Sequence, residues 1–166
     1  MKVDDVLLGL HSNAGLLVDT NLLILFIVGS VNRNRIESFK RTRQYSQEDY
    51  ELLLRVLERF TPLYTVAHVL AEVSNLTDLA GHERLQARHV LKQAVAILRE
   101  PEMQSIRAAQ TSFYDDFGLV DAAIAAVARE HKCAVITDDL DLYLALSGEG
   151  MPVLNFTHLK ARQWSL

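Results

Sequence analysis

The segment Gly15-Leu16-Leu17-Val18 runs without a polar atom in its side chains and then stops at Asp19-Thr20-Asn21, before a second apolar run from Leu22 to Val28. A run this short suits a strand buried on both faces of a sheet, as parallel strands covered by helices are. A carboxylate at its end falls at the sheet's carboxyl edge, where open α/β sheets bind ligands. Acids recur in comparable settings at Glu72, Asp121 and Asp139.

The Leu22–Val28 run is too short to span a bilayer, which takes about 20 apolar residues. Neither a basic flank nor a small-residue cleavage site accompanies it, so it is not read as a signal segment. With 49% hydrophobic and 23% charged residues among 166, the chain has a globular composition and is expected to form one domain over residues 1–166. Its single cysteine, Cys133, excludes an intramolecular disulfide and sits in an apolar run, which suits the core of a cytoplasmic protein.

Local patterns divide the rest of the chain into alternating elements. Thr20 or Asn21 is placed to cap a helix running to Val28 and ended by Gly29-Ser30. Asn32 to Tyr45 is polar, and Ser46-Gln47-Glu48-Asp49 opens a helix that continues to Phe60 at helical spacing. Pro62-Leu63-Tyr64 forms a short strand. Helices then fit Val66–Ala80, closed by Gly81, and His82–Arg99, ended by Glu100-Pro101.

Gln104–Phe113 is ambiguous between a short strand or turn and a following helix. A small-residue helix covers Val120–Glu130, Cys133–Thr137 reads as a buried strand, Leu140–Leu146 as a short helix and Val153–Phe156 as a last strand. Short strands alternating with helices imply a parallel sheet with helices on both faces.

In such a sheet Asp19 and the pair Asp138-Asp139 open on one edge. Glu72 lies at the border of its helix's apolar stripe, beside Thr65, His68 and Asn75, and Asp121 lies in the first turn of its helix. Several carboxylates in one place do not stay ionised without a cation. Hard oxygen ligands suit Mg²⁺ or Mn²⁺. Zinc is disfavoured, since the chain has no cysteine pair and its His82 and His89 lie seven apart.

The net charge of −4 argues against coating nucleic acid by bulk positive charge. Arg33, Arg35, Lys40, Arg41 and Arg43 nevertheless cluster in one polar stretch. They read either as a solvated face or as an RNA-contacting patch beside the acids.

Four segments together resemble the PIN-domain family of metal-dependent ribonucleases, which includes toxins of bacterial toxin–antitoxin pairs. They are Leu17-Val18-Asp19-Thr20-Asn21, Thr65 through Glu72 to Asn75, Leu119-Val120-Asp121-Ala122-Ala123-Ile124, and Val135-Ile136-Thr137-Asp138-Asp139-Leu140-Asp141. The resemblance implies a helix-rich three-layer α/β/α fold around a short parallel sheet. It also implies hydrolysis of RNA phosphodiester bonds, leaving 5′-phosphate and 3′-hydroxyl ends.

By this correspondence Asp19, Glu72, Asp121 and Asp139 are the catalytic and Mg²⁺- or Mn²⁺-binding acids, with Asp141 a further metal contact. Thr20, Asn21, Asn75, Thr137 and Asp138 support them, Asp138 as helix cap or spectator. Single-stranded or loop RNA is the expected substrate, and an antitoxin protein and a homodimer are the partners the family suggests.

The polar stretch and long helix before Glu72 depart from the compact toxins. A catalytically inactive interaction module of the same fold is one alternative. An aspartyl-nucleophile phosphatase is a weaker one, because that chemistry generally wants an acid where this chain has Asn21.

Overall fold

A computed structural model describes residues 14–163. Strand β1 (Leu16–Val18) lies between β2 (Leu63–Tyr64) and β3 (Ala134–Thr137), and β4 (Val153–Asn155) follows β3. All pairings are parallel, with Leu16 opposite both Leu63 and Ala134, Val18 opposite Ile136, and Thr137 opposite Asn155. Every residue of β1 and β3 is buried, as the apolar runs require of strands covered on both faces.

Among the described residues eight α-helices flank this sheet: α1 (Thr20–Val31), α2 (Gln47–Leu57), α3 (Ala67–Leu76), α4 (His82–Ile97), α5 (Ser105–Ala109), α6 (Phe113–His131), α7 (Leu140–Gly148) and α8 (Phe156–Gln163). α1 packs against α2, α3 and α4, while α6 packs against α5, α7 and β3. The architecture is the three-layer α/β/α arrangement with a short parallel sheet. The Leu22–Val28 run is the body of α1 and is buried at nearly every position. No described helix is long and apolar enough to cross a membrane.

Several boundaries differ from the local reading, each for a physical reason. α1 does not stop at Gly29-Ser30 but continues to Val31. A Cβ on Gly29 would lie 2.4 Å from the Tyr50 ring, so this glycine admits α2 to close contact. α3 ends at Leu76, where the Thr77 hydroxyl donates to the Val73 carbonyl at 2.8 Å and the backbone leaves the helical region. Gly81, with φ of 58°, starts α4 instead of closing α3.

α4 ends at Ile97 because the next residues pair with the sheet edge. The Arg99 N–H donates to the Leu63 carbonyl at 2.8 Å, and the Thr65 N–H to the Arg99 carbonyl at 2.9 Å. The ambiguous Gln104–Phe113 segment carries the short α5. Phe156 leaves the last strand and opens α8, with Asn155 Oδ1 accepting the His158 N–H at 3.0 Å. Ser46 forms the expected N-terminus of α2, exchanging hydrogen bonds with Asp49 in a capping box.

The chain winds from β1 outward to β2 and then crosses to β3 on the other side of β1. That reversal places a crevice at the carboxyl ends of β1 and β3. Asp19 and Asp138-Asp139 are the residues that leave those two ends.

Candidate active site

Asp19 follows β1 and caps α1 in extended conformation. One carboxylate oxygen accepts the Thr20 N–H at 2.6 Å, and the other accepts the Thr137 hydroxyl at 2.6 Å. Thr137, the last residue of β3, also accepts the Asp139 N–H on its hydroxyl at 3.0 Å. Thr20 turns its own hydroxyl to Glu72 Oε2 of α3 at 2.9 Å. Two threonines thus tie Asp19, Glu72 and Asp139 together across three elements.

Asp121 joins them from α6. Gly118, with φ of 82° and ψ of −174°, breaks that helix and puts Asp121 in the first turn of the segment that follows. Burial first, then the charges of Asp19, Asp139 and Glu72, push the Asp121 carboxyl up to about 7. Asp19 is raised to about 6, chiefly by burial, with hydrogen bonds from Thr137 and Thr20 opposing and the charges of Asp138 and Asp139 adding. The predicted acids Asp19, Glu72, Asp121 and Asp139 therefore share one electrostatic neighbourhood.

The helix cap expected at Asp138 is instead Asp139, whose Oδ1 accepts the N–H groups of Asp141 and Leu142 at 2.8 and 3.1 Å. The reason is spacing: α7 begins at Leu140, so the residue immediately before it holds the N-cap position. Asp138 accepts hydrogen bonds from Asn21 Nδ2 at 3.2 Å and from the Tyr45 hydroxyl. Asn75 and Asp141 are exposed, and their side chains enter none of these hydrogen bonds.

Of the basic cluster, Arg33 pairs with Glu51, Arg35 with Glu83 at 2.8 Å, and Lys40 with Asp78 at 3.0 Å. Hydrogen bonding from Asn32 foremost, with Arg35, holds the Glu83 carboxyl below its usual range. Arg41 adds its charge beside Asp78. These residues staple the polar stretch to α2, α4 and the turn before α4. Arg43 stands apart in a cleft with Tyr45.

Tyr45 and Lys160 carry no local signal of a role in the sequence. Tyr45 is buried, and burial foremost, then the charge and hydrogen bond of Asp138, push its hydroxyl well above the ordinary phenol range. Lys160 of α8 lies 5.3 Å from the centre of the Tyr45 ring and pairs with buried Asp49 at 2.8 Å.

A family model, the PIN domain, matches residues 16–145. That span covers most of the chain and contains all four acids. The chain belongs to the PIN-domain family. No curated protein shows significant similarity to it. PIN domains are generally nucleases that use divalent metals.

In this PIN domain the donor set fits a hard divalent cation: carboxylates and hydroxyls supply only oxygen. The charges that raise Asp19 and Asp121 come from neighbouring carboxylates. Among the described residues no three His, Cys, Asp or Glu side chains already converge as a metal cage. Like charges brought near one another disfavour ionisation, in the same direction as the shifts at Asp19 and Asp121.

Proposed function

We propose that the chain is a divalent-metal-dependent endoribonuclease that cuts single-stranded or loop RNA at the carboxyl edge of its sheet. The observation that supports this reading is the threonine network. Thr137 and Thr20 hold the carboxylates of Asp19, after β1, and of Glu72, in α3. Thr137 also takes the backbone N–H of Asp139 in the β3–α7 turn, and Asp121 feels the charge of all three.

Asp19, Glu72, Asp121 and Asp139 would hold Mg²⁺ or Mn²⁺. When bound, such a cation supplies Lewis-acid polarisation of the phosphate and activation of the attacking water. The chain's own residues set the stage for that chemistry. Thr137 and the Thr20 N–H fix the two oxygens of Asp19, and the Thr20 hydroxyl aims Glu72.

Asp139 commits Oδ1 to the start of α7 and keeps its second oxygen for a ligand. Asp121 is partly protonated near neutral pH, so cation binding is coupled to proton release from its carboxyl. Unstacked nucleotides enter such a crevice more readily than a duplex.

Cleavage of a labelled single-stranded RNA in Mn²⁺ tests the assignment. Asp19→Asn, Glu72→Gln, Asp121→Asn and Asp139→Asn are each expected to lose roughly a hundredfold or more, beyond what groups that only orient ligands cost. Parent protein that leaves RNA intact, or variants that cut as well as the parent, would overturn it. A toxin role further requires growth arrest on expression, relieved by a neighbouring gene product.

A further inference from the structure

The polar stretch between α1 and α2 reaches the acid cluster through Tyr45, and the cleft beside that residue has no part in the reaction described above. The cleft has a volume of about 540 Å³ and is lined by Glu37, Arg43, Gln44, Tyr45, Ser46 and Lys160, with Asp49 beneath. Its floor is held firmly. The Tyr45 hydroxyl donates to Asp138, Lys160 sits over the Tyr45 ring, and the Lys160–Asp49 pair joins the capping box of Ser46.

Its rim is different. Among the described residues, neither Glu37 nor Arg43 takes part in an ion pair or a side-chain hydrogen bond, and both are exposed. Arg33, Arg35 and Lys40 of the same stretch are all paired. A carboxylate and a guanidinium thus face one cleft without bonding to each other.

We propose that this cleft takes one unstacked guanine of the RNA strand entering the acid site, an inference that rests on the nuclease reading above. Guanine carries two acceptors, O6 and N7, on one edge and N–H donors on another. A guanidinium matches the first edge bidentately, and a carboxylate accepts from the second. Adenine presents an amino donor where guanine has O6, so the same pair of side chains does not fit it.

A bare phosphate is the poorer occupant. Glu37 and Asp49 offset Arg43 and Lys160, so the lining carries no net positive charge. Single-stranded RNA is read on the edges of splayed bases. Tyr45 both lines the cleft and donates to Asp138, the neighbour of Asp139, so one side chain joins the cleft to the acid edge of the sheet.

Fluorescence anisotropy tests the inference with Asp19→Asn protein, which is expected to bind without cutting, in Mg²⁺. The probes are labelled oligouridine and the same strand carrying one guanine, adenine or cytosine. The guanine strand is expected to bind roughly tenfold tighter than the others, the size of one good base-edge contact.

Adding Glu37→Gln or Arg43→Ala is expected to abolish that preference; both side chains are exposed, and thermal melts check that the fold persists. Equal binding of all four strands, no binding at all, or a preference unchanged in both variants would overturn the inference. Because binding is read apart from cleavage, the two readings fail separately. A parent protein that cuts without base preference sinks the guanine site alone. One that selects guanine but never cuts sinks the nuclease reading alone.

Discussion

Replacing Asp19 with asparagine is expected to stabilise the metal-free protein at neutral pH while abolishing cleavage. Asp19 is 6% exposed, and its carboxyl is raised from an ordinary 3.8 to about 6. At about 1.36 kcal/mol per tenfold change in proton affinity, holding this group ionised costs the native state roughly 3 kcal/mol. The folded pKa exceeds the unfolded one, so the native state binds the extra proton between them. The contribution of Asp19 to stability is therefore greatest below pH 4, falls as pH rises through 6, and levels off above.

Asparagine carries no charge and removes that limb. It also weakens two charge-assisted hydrogen bonds, from the Thr20 N–H and the Thr137 hydroxyl, at a cost of about 1 kcal/mol. The net gain is about 2 kcal/mol. At about 2–4 °C per kcal/mol for a chain of this length, the Tm in EDTA at pH 7.5 rises roughly 4–8 °C.

Asp121 titrates in an overlapping window, up to about 7, with Asp19 the largest of the charges raising it. Losing Asp19 should draw that limb downward too. Thermal and urea melts in EDTA from pH 4 to 8 measure both effects. Saturating Mn²⁺ should stabilise the parent by mass action and the variant far less. An asparagine variant that melts at or below the parent at pH 7.5, with the same decline between pH 4 and 6, would refute the reasoning.

Two further predictions address the scaffold. Gly29→Ala adds a Cβ 2.4 Å from the Tyr50 ring; the overpacking is expected to cost about 1–3 kcal/mol, outweighing alanine's better helix propensity of about 1 kcal/mol. A urea midpoint above the parent's would contradict it. Asp49→Ala removes both the capping-box partner of Ser46 and the anion that holds Lys160, and is expected to cost about 2–3 kcal/mol. Faster amide exchange in α8 than in the parent checks that the lost pair anchors this helix.

The acids were legible because each is announced locally. Asp19 and Asp139 follow buried apolar runs, Glu72 borders an apolar stripe, and Asp121 comes just after a glycine that breaks its helix. The ends of α1, α3 and α4 were not, because distant groups decide them: Tyr50 against Gly29, and β2 capturing Arg99. The paired state of Arg33, Arg35 and Lys40 was equally hidden, since their partners Glu51, Glu83 and Asp78 lie 18 to 48 residues away.

By itself the sequence determined the parallel α/β plan and where the four acids sit on its elements, because strand burial, capping and hydrophobic period act over a few neighbouring residues. Only the tertiary structure decided how those acids are held. Thr137 reaches Asp19 across 118 positions, Thr20 reaches Glu72 across 52, and Tyr45 reaches Asp138 across 93. It also decided that Asp139 caps α7 while Asp138 is held from the side by Asn21 and Tyr45. Such hydrogen bonds need atoms within about 3 Å, and only the packing of the sheet and its helices brings residues so far apart in the chain that close.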